Sequence, residues 1–156
     1  WYLSTTSLLT LETLYIYLRI HNMAFDIKKT NLNEIAEAGY EFEVKLPDGS
    51  STDFFITVRG NLSPIVKKHG KELFNKDQTK QISDKRRGKG EQPINLDDME
   101  QTLIDSAVVR IITWKGLEED GKPVEFSKEA AQRVMTEHSW IREQVLEEGN
   151  NAANFI

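Results

Sequence analysis

Cysteine is absent from this chain of 156 residues, which removes any disulfide framework and any thiolate metal site. Histidine is scarce. His21, His69 and His138 stand far apart, and none has a second histidine or a carboxylate at metal-motif spacing. A basic surplus is missing as well: 20 Lys and Arg face 25 Asp and Glu, for a net charge of -5. General nucleic-acid binding needs cations in excess to release phosphate counterions, so no nucleic-acid partner is expected. The glycines Gly60, Gly70, Gly88 and Gly90 do not assemble a phosphate-binding fingerprint. No nucleophile stands beside a base either. Ser127 fits a helix cap, and His138 falls about three helical turns further along. No catalytic residue, metal or cofactor is expected, and the chain reads as a non-enzyme.

What is present suits one ordinary domain. With 38% hydrophobic and 29% charged residues, the composition is that of a globular chain able to bury a single core. The acids have ordinary places. Asp97, Asp98 and Glu100 sit in a helix's first turn, where the backbone dipole favours negative charge. Glu118, Glu119 and Asp120 flank a glycine turn, where all three can face water.

Residues 1–22 differ from the rest. The run 3–20 (LSTTSLLTLETLYIYLRI) lacks the positive start and small-residue cleavage site of a secretory signal. Read as a membrane span, it would hold Glu12 near the bilayer centre at roughly 2.5–3.5 kcal/mol, so no membrane partner is expected. Met23-Ala24-Phe25 reads as a natural start, which makes residues 1–22 an upstream-translated, non-native extension. An interfacial amphipathic helix is the alternative reading.

From residue 23 to 156 the pattern alternates between elements and punctuation. Asn31 opens a short helix that Gly39 stops. Phe42, Val44 and Leu46 alternate with Glu41, Glu43 and Lys45, the period of a half-buried strand. Pro47-Asp48-Gly49-Ser50 is a turn, and residues 52–59 resume as a second strand, so a β-hairpin is predicted. Ser63-Pro64 caps a helix that carries Ile65, Val66, Leu73 and Phe74. Residues 76–94 turn basic and polar, and a solvated helix end running into a flexible linker is expected there. The cluster 85–89 (KRRGK) lacks stacking aromatics, which favours a solvated linker; an electrostatic contact to an acidic protein or to nucleic acid are its alternatives.

Asn95 caps the next helix, whose Met99, Leu103, Ile104, Ala107, Val108, Ile111 and Ile112 recur at helical spacing up to Trp114-Lys115-Gly116. A charged turn and Pro123 follow. Ser127 then opens a last helix, through Ala130, Val134, Trp140, Ile141 and Val145, that ends at Gly149. The predicted fold is a single small α+β domain over 23–156: an N-terminal β-hairpin packed with three principal α-helices.

The residues that carry a resemblance are the hairpin around KLPDGS, the stretch IITWKGLEEDGKPVEFSKE, and the closing RVMTEHSWIREQVLEEGNN. In these the chain, from 23 to 156, resembles the phage tail assembly chaperones of siphovirus-type phages and prophages. Its most specific part is the IxxWxGxxxxGxPxxFSxE pattern of residues 111–129. The resemblance implies a non-enzymatic assembly factor of the host cytoplasm, with the tape measure protein and the tail tube protein as partners. A homo-oligomer is compatible with it, and a structural tail component is the alternative. On this reading an apolar groove between the last two helices covers tape measure helices. Trp114, Phe126 and Trp140 are its expected anchors, surrounded by Ile111, Ile141 and Val145.

Overall fold

The computed structural model describes residues 31–90 and 95–156. The expectations for residues 1–22, and for a start at Met23, lie outside these. Residues Leu32–Ile156 form one compact unit, a single α+β domain built on a β-hairpin. It begins with α1 (Leu32–Ala38), β1 (Tyr40–Lys45) and β2 (Ser51–Val58), and continues with α2 (Pro64–Arg86), α3 (Leu96–Arg110) and β3 (Ile111–Lys115). A small ribbon, β4 (Glu118–Glu119) and β5 (Lys122–Pro123), leads to α4 (Lys128–Glu137), α5 (Ser139–Asn150) and a 3₁₀ turn at Ala152–Phe155. The three principal helices of the expectation are α2, α3 and the α4–α5 pair.

The hairpin forms for the reasons its sequence suggests. Gly49, at φ 85°, lets the turn close, and its amide donates to the Leu46 carbonyl at 2.7 Å. Asp48 Oδ1 accepts from the Ser50 amide at 2.9 Å. Strand alternation then sends Phe42 and Val44 of β1, and Phe54, Ile56 and Val58 of β2, to one face, where all five are buried.

Between Glu43 and Lys45 the register slips, so that Val44 faces the three residues Thr52, Asp53 and Phe54. Asp53 takes φ 56° there, and Glu43 holds the bulge closed. Its carboxylate accepts from the Lys45 ammonium at 2.5 Å, from the Ser51 hydroxyl, and from the Asp53 amide at 3.2 Å.

The hairpin becomes a three-stranded antiparallel sheet, order β1-β2-β3, because β3 joins the free edge of β2. The periodicity of residues 99–112 predicts one helix throughout; the structure ends α3 at Arg110 and makes Ile111 extended, φ -69° and ψ 128°. The β-branched run Ile111-Ile112-Thr113 favours that change, and β2 offers it a ladder. A second register slip, where Val58 pairs with Ile111 and Thr57 with Thr113, leaves Ile112 as the extra residue. Ile111 and Trp114 therefore both face the core.

One face of the sheet is covered by Ile104, Ala107 and Val108 of α3, Ala131, Val134 and Met135 of α4, and Ile141 and Val145 of α5. The predicted caps form: Ser63 Oγ accepts from the Val66 amide, Asn95 Oδ1 from Asp97 and Ser127 Oγ from Ala130. The single last helix of the sequence reading is broken at His138 (φ -123°, ψ 80°) into α4 and α5. Arg142 bridges the break: its side chain, buried at 7% exposure, donates to the Met135 carbonyl at 2.9 Å and to Glu100 at 3.2 Å.

Within the stretch 76–94, read from sequence as a solvated helix end running into a flexible linker, the helix extends to Arg86. Residues 76–86 complete α2, because Lys, Gln and Arg are good helix formers and Lys85 and Arg86 complement the dipole of the last turn. Gly88, at φ 67°, then turns the chain out of the helix. Residues 91–94 lie outside the described ones. No helix among the described residues is long and apolar enough to cross a membrane.

The bulge makes a pH prediction. Hydrogen bonds from Lys45, then from Ser51, lower the Glu43 pKa from 4.5 to about 2. A depressed carboxylate stabilises the fold above its ordinary value and loses that contribution as pH falls through the folded one. Glu43→Gln should lower the urea midpoint at pH 7, and the gap to the wild type should narrow steadily from pH 4.5 towards about 2. A gap of constant size across that window contradicts this role.

Candidate partner-binding surface

Of the six expected anchor residues, four lie in the interior and two at its margin. Ile111 is 3% exposed, Trp114 7%, Ile141 3% and Val145 0%. Phe126 and Trp140 are half-buried and pack against that same core. Trp114 shows why. Its ring meets Phe54 edge-on at 6.0 Å between centroids and Phe126 at 5.2 Å, and its indole N–H donates to the Val124 carbonyl at 2.8 Å. A tryptophan with its ring enclosed and its polar handle satisfied is a core residue. The chain arrives there through Gly116, at φ 82°, where an added Cβ would stand 2.1 Å from the Asp53 carbonyl oxygen. The Trp-Lys-Gly sequence thus marks where the end of β3 runs close beside the start of β2.

Apolar surface remains elsewhere. Val66 is the buried residue of α2, so most of that helix stands out from the body with only α3 beside it. Two contacts set the helices antiparallel and fix their register: Ser106 Oγ lies 3.4 Å from His69 Nε2, and Lys80 pairs with Asp98 at 2.9 Å. That register brings Phe74 level with Leu103, with Met99 about a turn further along. Phe74, Met99 and Leu103 are 62%, 51% and 46% exposed, and Ile82 and Leu96 are open as well. The α2–α3 hairpin is therefore an arm carrying unpartnered apolar side chains. The sequence holds a signal for it, since Lys67, Lys71, Phe74, Gln78, Ile82 and Lys85 recur at three-and-four spacing. The polar composition after Lys76 masks that period.

Where the arm meets the body lies a polar junction. Arg110, 8% exposed, donates to Asn61 Oδ1 at 2.6 Å, Asn150 Oδ1 at 2.9 Å and the Gly149 carbonyl at 3.2 Å. Burial lowers its pKa, no carboxylate among the described residues pairs with it, and its Nε has no partner. Beside it, Arg59 Nε donates to Glu37 at 2.9 Å. The Ser63 hydroxyl first, and the Arg59 guanidinium after it, hold the Glu37 carboxyl below its ordinary value. A cavity of about 240 Å³ opens nearby, lined by Leu32, Ala36, Leu62, Phe155 and Ile156, with Asn61 and Asn150 also on its wall. Its lining is apolar apart from those amides, so it suits an aliphatic side chain rather than a reaction. No group of His, Asp and Glu among the described residues could hold a metal ion.

The burial of Trp114 predicts what its removal does. Trp114→Ala should lower unfolding stability by about 3–5 kcal/mol, the usual cost of emptying an aromatic core position, as read by urea denaturation. A stable variant whose only defect is weak partner binding would restore the anchor role.

Comparison with known proteins gives one family. A model of the YdaY prophage proteins matches residues 68–156, which takes in most of α2, all of α3 and β3, and everything after them. No curated protein and no solved structure matches the chain. The matched stretch covers more than half of the sequence, and the chain belongs to the YdaY prophage protein family.

Proposed function

We propose that this prophage protein is a tail assembly chaperone, which binds the tape measure protein in the host cytoplasm and promotes tail tube assembly without catalysing a reaction. The reading draws on its prophage family and on the resemblance of residues 111–129 to such chaperones. The observation that carries it is the arm: Phe74, Met99 and Leu103 all stand open to water on it, and monomeric proteins retain such apolar surface mainly where something docks.

A tape measure protein is a long chain of apolar helices, and the arm offers such a helix a place to lie. Fully burying one large apolar side chain is worth about 1.5–3 kcal/mol, and the arm's are partly covered already. One arm therefore holds its client weakly and reversibly. Several copies along one client add up through effective concentration, which suits a factor that must leave when tube subunits polymerise. The body, with its closed core, presents the arm in a fixed direction.

Co-expression tests the proposal. The chain should raise the soluble fraction of the tape measure protein several-fold, and Phe74→Ser, at an exposed position, should abolish the gain while leaving the circular dichroism spectrum intact. A tape measure protein equally soluble with and without the chain contradicts the proposal.

A further inference from the structure

We infer that the outer stripe of α2 recognises an anionic amphipathic helix, one whose apolar residues are flanked by Asp or Glu. The inference rests on the client-binding role proposed above and specifies the client's chemistry. Its ground is charge. Residues 67–89 contain nine Lys and Arg against three Asp and Glu, whereas the other residues contain eleven against twenty-two. An acidic protein thus concentrates a local cationic surplus on the stretch that forms the outer helix of the arm.

These cations are not absorbed by the fold. Lys67 donates to Asn33, Lys68 sits 3.9 Å from Glu72, and Lys80 pairs with Asp98. Lys71, Lys76, Lys85, Arg86, Arg87 and Lys89 make no ion pair among the described residues. Two of the six share a face with the exposed apolar residues: the order along that stripe is Lys67, Lys71, Phe74, Gln78, Ile82, Lys85. At 1.5 Å per residue it runs about 27 Å, the length of a partner helix of comparable size. Apolar anchors bracketed by unpaired cations match an apolar ridge bracketed by carboxylates. Nucleic acid fits the stripe less well, because strand binding uses several stacking aromatics and Phe74 is the only aromatic residue between 67 and 89.

The test uses the full chain and two synthetic helical peptides with the same apolar stripe, one flanked by Glu and one by Lys, followed by fluorescence anisotropy. The Glu peptide should bind at least about tenfold more tightly at roughly 50 mM salt, and the ratio should shrink at roughly 500 mM. Lys71→Glu combined with Lys85→Glu should reverse the preference; both positions are exposed, and circular dichroism checks that the variant is folded. Equal binding of the two peptides overturns the inference. So does displacement of the Glu peptide by an RNA oligomer, or self-association through this stripe in sedimentation velocity. Failure of both peptides while the wild type still solubilises the tape measure protein removes this inference alone, and loss of that solubilisation removes the client role beneath it.

Discussion

The structure depends on the Arg110 guanidinium, a buried cation whose two terminal nitrogens are held by neutral oxygens. It joins the end of α3 to Asn61 and to the last turn of α5, through the Gly149 carbonyl and Asn150. Carbonyls at a helix C-terminus carry partial negative charge, which supplies part of what a carboxylate otherwise would. The backbone reciprocates at the same point, where the Arg59 amide donates to the Arg110 carbonyl at 2.7 Å. Space there is tight: an added Cβ on Gly149 would lie 3.0 Å from Arg110 Cδ and 3.1 Å from the Arg59 carbonyl oxygen. Holding residue 110 in this way fixes where helix becomes strand. From that switch follow the third strand of the sheet, the cage around Trp114, and the place where the arm leaves the body.

Closure of the core has a consequence for function. Once β3 lies on β2, the apolar faces of α4 and α5 cover the sheet, and Ile111, Trp114, Ile141 and Val145 have no surface left to offer. Most of the exposed large apolar side chains lie on α2 and the first turns of α3, and the others, among them Leu46 and Ile156, are scattered over the body. Division of labour results. The acidic body is closed around its core, and under the proposed function the α2–α3 arm is the part that touches the client. Gln144 adds to the closure from the other side, exchanging hydrogen bonds of 2.8 and 2.9 Å with the backbone of Lys45 at the β1 edge.

Local chemistry was legible in the sequence wherever a residue acts within a few positions of itself. Ser63, Asn95 and Ser127 cap helices, and Asp48-Gly49 makes the hairpin turn, because each bonds to its immediate neighbours. Tertiary choices were not legible. Ile111 continues the helical period of Ile104 and Val108, and the tertiary setting, the hold on Arg110 and the vacant edge of β2, turns its β-branched run into strand. His138, at φ -123° and ψ 80°, interrupts a pattern that reads as one helix. Core packing is the readier reading of Trp114 and Trp140 from sequence, with a partner anchor as the sharper one, and burial decides the matter for Trp114. The arm was missed because lysine-rich helix and lysine-rich linker share a composition, and the cue of Phe74 and Ile82 on one lysine-bracketed stripe is faint.

Amide hydrogen exchange on the chain, free and bound to tape measure protein, tests most directly the claim that the core is closed and the arm does the binding. The account predicts added protection on residues 67–89 and 96–103, with exchange over 128–150 unchanged. Protection confined to α4 and α5, with the arm exchanging as it does in the free protein, would contradict it.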